Sequence, residues 1–288
     1  MEREELHLGE NLTREKVWES DGIAVLRADV ELPQLAGSSH RVRRFNRYYR
    51  RLANAYFVYC EQMLLPYAKE QCKTALKNSA PWSHTQAQMR FTVTCRADNI
   101  FSLYIDAKET NGPVPRLTLR RADTWDLKSM LPIPLSEHYP PHAHCRRQLI
   151  RFARETAQRQ QEQGSAVYDR NWRTLLRTAF STRNYYLSDA GLCFFYPMYA
   201  LAPAAEGIVT FTVPYHAESG PFPPLRAAAE ETGHPQRRKV LRSDPPAIEQ
   251  IGIDRRNDHH HKKDGKKHIE IPPFENAQHN ECHTAEHP

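Results

Sequence analysis

From Asn184 to Tyr215 the chain reads NYYLSDAGLCFFYPMYALAPAAEGIVTFTVPY, and no long helix is compatible with it. Leu187, then Leu192, Phe194 and Tyr196, recur at every second residue around the turn cluster Ser188-Asp189-Ala190-Gly191, which predicts a β-hairpin. A β-branched and aromatic run from Ile208 to Val213 predicts one more strand, stopped by Pro214. Pro197, Pro203 and Gly207 forbid a continuous element between them, so Tyr199 to Glu206 must be a shaped connection.

Upstream, Ala24, Leu26, Ala28, Val30 and Leu32 alternate with more polar residues, the period of a half-buried strand that ends at Pro33 and Gly37-Ser38-Ser39. From Arg41 to Lys77 the period becomes helical. Phe45, Tyr49, Leu52, Tyr56, Cys60, Met63 and Tyr67 share one face, and Pro66 predicts a kink. A strand meander follows: Met89, Phe91, Val93 and Cys95, a turn at Asp98-Asn99, a return through Phe101, Leu103 and Ile105, a turn at Asn111-Gly112, and a third strand with Leu117 and Leu119. Helices are predicted over Cys145 to Gln161 and, after Gly164-Ser165, over a segment beginning near Asp169 whose Trp172, Leu175, Leu176, Ala179 and Phe180 fit one helix face. Antiparallel strands with one apolar face need a cover, and the Arg41 to Lys77 helix is the candidate. The fold class expected is α+β, an antiparallel sheet with helices packed on one face.

The residues Gly191–Tyr196 (GLCFFY), Tyr199–Gly207 (YALAPAAEG) and the strand ending Val213-Pro214-Tyr215 resemble the C-terminal signature of the RsiV-like domain family. That domain of unknown function is shared by a lysozyme-sensing anti-sigma factor and a peptidoglycan deacetylase. The resemblance implies the same α+β fold over residues 22–216, preceded by an N-terminal arm (1–21). It also implies a non-catalytic role in binding or sensing a protein ligand, lysozyme-like, or a cell-envelope ligand. Tyr196 and Tyr199 lie within the resembling stretch, and tyrosine is common in interfaces as well as in half-wet cores.

Beyond residue 216 the composition changes. Prolines interrupt the chain, Lys, Arg and His dominate, and Phe222 and Phe274 are the only aromatics, so residues 217–288 are expected to be mostly disordered. Their His259-His260-His261 run, with His268, His279, Cys282, His283 and His287, contains metal-ligand types without the short spacing of a structural zinc site. No metal or cofactor is expected. The six cysteines include no C-x-x-C pair, and Cys60, Cys95, Cys145 and Cys193 occupy apolar positions, so buried thiols are expected.

With 40 Lys and Arg against 34 Asp and Glu, the chain carries a formal charge of +6. Part of that excess is concentrated on the helix: Arg43, Arg47, Arg50 and Arg51, with Arg41 and Arg44 beside them, precede any acidic residue before Glu61. With Tyr48 and Tyr49 interleaved, this stripe could contact phosphates and stack on bases, which makes a nucleic-acid-associated protein the alternative function. The bland alternative is a solvated helix face. No RNP, KH or helix-turn-helix signature accompanies the stripe. Nucleophile-elbow, H-E-x-x-H and phosphate-loop motifs are absent too, and Asp106, Glu109, Asp189 and Glu206 sit where turns and strand ends place carboxylates anyway, so no enzyme is expected. No stretch is long and apolar enough to span a bilayer and the first residues are acidic, so the chain as written reads as cytoplasmic, whereas the resembling domains are extracytoplasmic.

Overall fold

The computed structural model describes residues 7–97, 99–111, 115–140, 143–215 and Pro221. Its first layer is a six-stranded sheet in sequence order: β1 (Leu12–Ser20), β2 (Ile23–Leu32), β3 (Thr85–Ala97), β4 (Ile100–Thr110), β5 (Pro115–Asp126) and the short β6 (Leu131–Pro132). All neighbours are antiparallel except β2 and β3, which run parallel. The exception follows from the connection. Parallel strands need a long crossover, and a helical segment of about 38 residues links β2 to β3.

That crossover comprises α1 (His40–Tyr59), a π-helical turn (Cys60–Leu64) and α2 (Leu65–Lys77). Ser39 caps α1 by accepting a hydrogen bond from the Val42 amide, 3.3 Å. Asn46 ties the helix to the end of β2, accepting from the Leu35 amide (2.8 Å) and donating to its carbonyl (3.0 Å). Phe45, Tyr49, Leu52 and Tyr56 are buried against the sheet, as their spacing predicts. After Cys60 the buried positions become Leu64, Ala68 and Cys72, while Tyr67 is exposed. The π turn is wider than an α turn, so the apolar face advances by one residue and Met63 and Tyr67 leave it. Pro66 then falls in the first turn of α2, where its missing N–H costs nothing.

Residues 1–21 were expected to form a charged arm, but residues 12–20 form β1, an edge strand of which only Trp18 is buried. An edge strand exposed on both faces has no period of two to reveal it, and its Arg14, Glu15, Lys16 and Glu19 suit an edge that must not aggregate.

The other face of the large sheet is covered by more than helices. β7 (Tyr185–Ser188), β8 (Gly191–Tyr196) and β9 (Val209–Val213) form a second, antiparallel sheet. Every residue of β8 is buried. Leu192, Phe194 and Tyr196 pack into a cluster with α3 (Cys145–Glu162) and α4 (Trp172–Thr178), through Leu149, Ala153, Trp172 and Leu176. Cys193 and Phe195, on its opposite face, meet Tyr186 and the large sheet at Tyr104 and Ala122. A buried hydroxyl pair joins the sheets: Ser102 Oγ lies 2.8 Å from Thr124 Oγ1 and accepts from the Leu187 amide at 2.9 Å. The α+β class is thus a sheet faced by α1 and α2 on one side and by a second sheet with α3 and α4 on the other.

The five described cysteines are all free thiols, four buried and Cys145 partly exposed. Cys282, the histidine-rich stretch and the tail from residue 222 lie outside the described residues.

Candidate functional site

The pleat of β5 sends Arg121, Asp123 and Trp125 toward α1, opposite Ile105, Leu103 and Phe101 of β4. Two charged residues on a face packed against a helix must be paired. Arg121 donates to the Asp123 carboxylate at 2.9 Å, and the hydroxyls of Tyr48 (3.2 Å) and Tyr49 (3.3 Å) donate to the same carboxylate. Trp125 Nε1 donates to the Tyr49 hydroxyl at 2.9 Å, and Arg121 also reaches the Tyr48 hydroxyl. Burial, reinforced by Asp123, holds both tyrosines well above the ordinary phenol pKa. Burial alone would lower the Arg121 pKa, but Asp123 and Tyr48 outweigh it and raise it. This network is neutral overall and forms the wall behind the helix.

In front of that wall lies a cleft of about 290 Å³ lined by His40, Arg43, Arg44, Arg47, Tyr48, Arg51 and Trp125. At 3.6 residues per turn, positions 40, 44, 47 and 51 fall on one side of α1, and Tyr48 turns inward from them. Arg50 points to the far flank of the stripe and does not line the cleft. Arg43, Arg47, Arg50 and Arg51 are all exposed.

Several arginines elsewhere in the domain are paired with carboxylates. Arg27 pairs with Glu15 (2.9 Å), Arg90 with Asp29, Arg121 with Asp123, and Arg120 with Asp106 through two bonds of 2.7 and 2.8 Å. Arg120 also lies 3.9 Å over the Tyr104 ring, between the two sheets, where it is structural. Among the described residues no carboxylate forms an ion pair with Arg43, Arg47 or Arg51. Moreover, α1 has no acidic residue in its first turn, where the macrodipole is positive and carboxylates would be favoured. His40, Arg41, Arg43 and Arg44 occupy that end instead. Cations there cost stability in the isolated domain, and a bound anion would offset that cost.

The structure does not bring the sequence candidates together. Arg43 and Arg47 line the cleft and Arg50 flanks it. Tyr196 is a core residue, fully buried, with its hydroxyl donating to the Leu176 carbonyl at 2.9 Å. Tyr199, at φ 67°, is 41% exposed in the connection between β8 and β9, on the side of the large sheet away from α1. Sequence reasoning missed the cleft's floor, Tyr48 and Trp125 as a lining pair, because their approach depends on the pairing of β4 with β5. The alternative reading offered Tyr48 and Tyr49 as rings that could stack on bases. Tyr49 is fully buried, and Tyr48 packs edge-on against Tyr49 and Trp125, with Arg121 5.3 Å over its ring.

Of the carboxylates considered for chemistry, Asp106 holds Arg120, Glu109 accepts from Tyr59 at 2.6 Å, and Glu206 accepts from the Val167 amide at 3.0 Å, tying the β8–β9 connection to the segment between α3 and α4. Among the described residues no group of three or more His, Cys, Asp or Glu is gathered to hold a metal ion. No helix among them is long and apolar enough to cross a membrane.

Residues 142–216 match the family model described as a protein of unknown function, DUF3298. The DUF3298 region comprises α3, α4 and the small sheet, and the arginine cleft lies outside it, on α1. A crystal structure of a DUF3298 family member from Bacteroides fragilis has a similar fold. At a TM-score of 0.52 and 16% identity, the likeness covers 73% of this chain and 90% of that one. A DUF3298 family protein from Pseudomonas aeruginosa is aligned over 73% of this chain and 91% of that one, with a TM-score of 0.45 and 12% identity. Comparison with curated proteins finds no match.

Proposed function

We propose that this protein is a non-catalytic binding domain that engages anionic groups of a protein or cell-envelope ligand through the α1 cleft. The observation that carries the reading is the set of exposed arginines without carboxylate partners, Arg43, Arg47 and Arg51, gathered along one side of α1 around a single cleft. Guanidinium forks suit carboxylate and phosphate, and an anion seated among them would relieve their mutual repulsion. The cleft's size suits one or two anionic groups rather than a large organic ligand. A nucleic-acid role would use the same charges, but Tyr49 is buried and Tyr48 is held edge-on against it with Arg121 over its ring, which favours recognition of charge without bases.

Calorimetric titration of the full chain with inorganic pyrophosphate tests this reading. Binding that weakens steeply with salt, and that is lost in the Arg43→Glu, Arg47→Glu double variant with its fold intact by circular dichroism, is the expected result. Equal binding by the variant would refute it. Parallel titration with lysozyme tests the ligand implied by the RsiV-like resemblance.

A further inference from the structure

The cleft is one end of a longer feature. Beyond Arg51 the same side of α1 presents Asn54, whose side-chain oxygen accepts a hydrogen bond from Arg14 of β1. Arg14 is exposed, lies 4.9 Å over the Phe57 ring, and has no carboxylate among its described partners. A neutral amide and an aromatic ring fix its position while leaving its charge unspent. From His40 to the level of Asn54 the helix advances 14 residues, about 21 Å at 1.5 Å each. Cationic groups recur along it at Arg43, Arg47, Arg50 with Arg51, and Arg14, four levels about one helical turn of 5.4 Å apart. The row ends where Lys16 is neutralised by Glu61 at 3.5 Å.

We propose that this row is a track for a linear phosphodiester polymer, bound through its backbone charges and not through bases. The inference rests on the anion-binding reading of the cleft and adds the ligand's shape. A compact anion needs only the cleft and would leave Arg14, which also guards the β1 edge, outside the site. A polymer carrying one charge every several bonds places successive phosphates on the scale of a helical turn and can meet all four levels. Of the two tyrosines interleaved with the row, Tyr49 is buried and Tyr48 is held edge-on against Tyr49 and Trp125 with Arg121 5.3 Å over its ring, so neither is set out as a stacking platform.

The test uses the full chain and poly(glycerol phosphate) oligomers of increasing length, with inorganic phosphate, oligo-dT and an abasic oligonucleotide of matched phosphate number. Affinity is expected to climb with each added phosphate up to about four, with a log–log salt slope near 3 in magnitude, from about 0.7 per phosphate contact. Oligo-dT and the abasic strand should bind alike. Arg14→Gln should weaken the long oligomers about two- to fivefold, the size of one exposed ion pair, and leave binding of inorganic phosphate unchanged. Affinity that does not grow with length, or an Arg14→Gln variant that binds long oligomers as tightly as the parent, would overturn the track while leaving the cleft. A clear preference for oligo-dT over the abasic strand would overturn recognition without bases. Undiminished binding after Arg43→Gln, Arg47→Gln and Arg51→Gln together would overturn both readings, because the tail is common to every variant.

Discussion

Asp123 holds the wall behind the cleft, and replacing it by asparagine removes a charge while keeping its volume. Its side chain is 9% exposed and that of Arg121 22%, so neither charge is well solvated. The two are in contact at 2.9 Å. At an effective dielectric constant of about 20, charge centres about 4 Å apart attract by roughly 4 kcal/mol, and breaking a buried pair by removing one partner typically costs 3–5 kcal/mol. Asparagine can still accept from one tyrosine hydroxyl, so the low end, about 3 kcal/mol, is expected for Asp123→Asn. For a domain of this size that corresponds to a loss of about 6 to 12 °C in Tm, measurable by scanning calorimetry on the full chain. Most of the penalty comes from the stranded guanidinium, so adding Arg121→Met should restore at least half of the loss. A Tm change under about 2 °C, or a double variant no more stable than Asp123→Asn alone, would refute this account of the wall.

Other outcomes follow from single features. His138 is 3% exposed beside the Tyr185 hydroxyl at 3.2 Å, and burial lowers its pKa to about 4. Below the unfolded value of about 6.5 only the unfolded chain takes the proton, so stability should fall by about 3 kcal/mol between pH 6.5 and 4; His138→Gln should flatten that limb in urea titrations across pH. At Gly191, φ 152°, an added Cβ would stand 2.1 Å from the Val213 carbonyl oxygen, so Gly191→Ala should cost about 3 kcal/mol and open the pairing of β8 with β9, read by hydrogen exchange. Burial pushes the Cys60 thiol up to about 12, so native-state alkylation read by mass spectrometry should label Cys145 well before Cys60.

What the sequence made legible is what alternation and helical period can carry. Phe101, Leu103 and Ile105 announced β4, Cys145 to Gln161 announced α3, and Ser188 to Gly191 announced the hairpin turn. Where an element is buried on both faces or on neither, the period fails. β8 showed Leu192, Phe194 and Tyr196 as one apolar face, and nothing in that alternation required Phe195 on the opposite face to be buried against a second sheet. β1, exposed along most of its length, read as an arm. The advance of the buried face from Cys60 to Leu64 depends on a π turn that no spacing rule announces. The arginine stripe was legible as a row of charges, but the wall of Tyr48, Asp123, Arg121 and Trp125 joins residues more than 70 positions apart and exists only after β5 has paired with β4.

The central claim, that the α1 arginines are the binding site, is tested most directly by following the arginine Nε–Hε resonances of the full chain during titration with a poly(glycerol phosphate) oligomer. The account predicts that Arg43, Arg47 and Arg51 move first and saturate together, that Arg14 joins them only with the longer oligomers, and that Arg120 and Arg121 stay in place. Shifts confined to residues outside α1 and β1, with the α1 arginines unmoved at saturation, would contradict it.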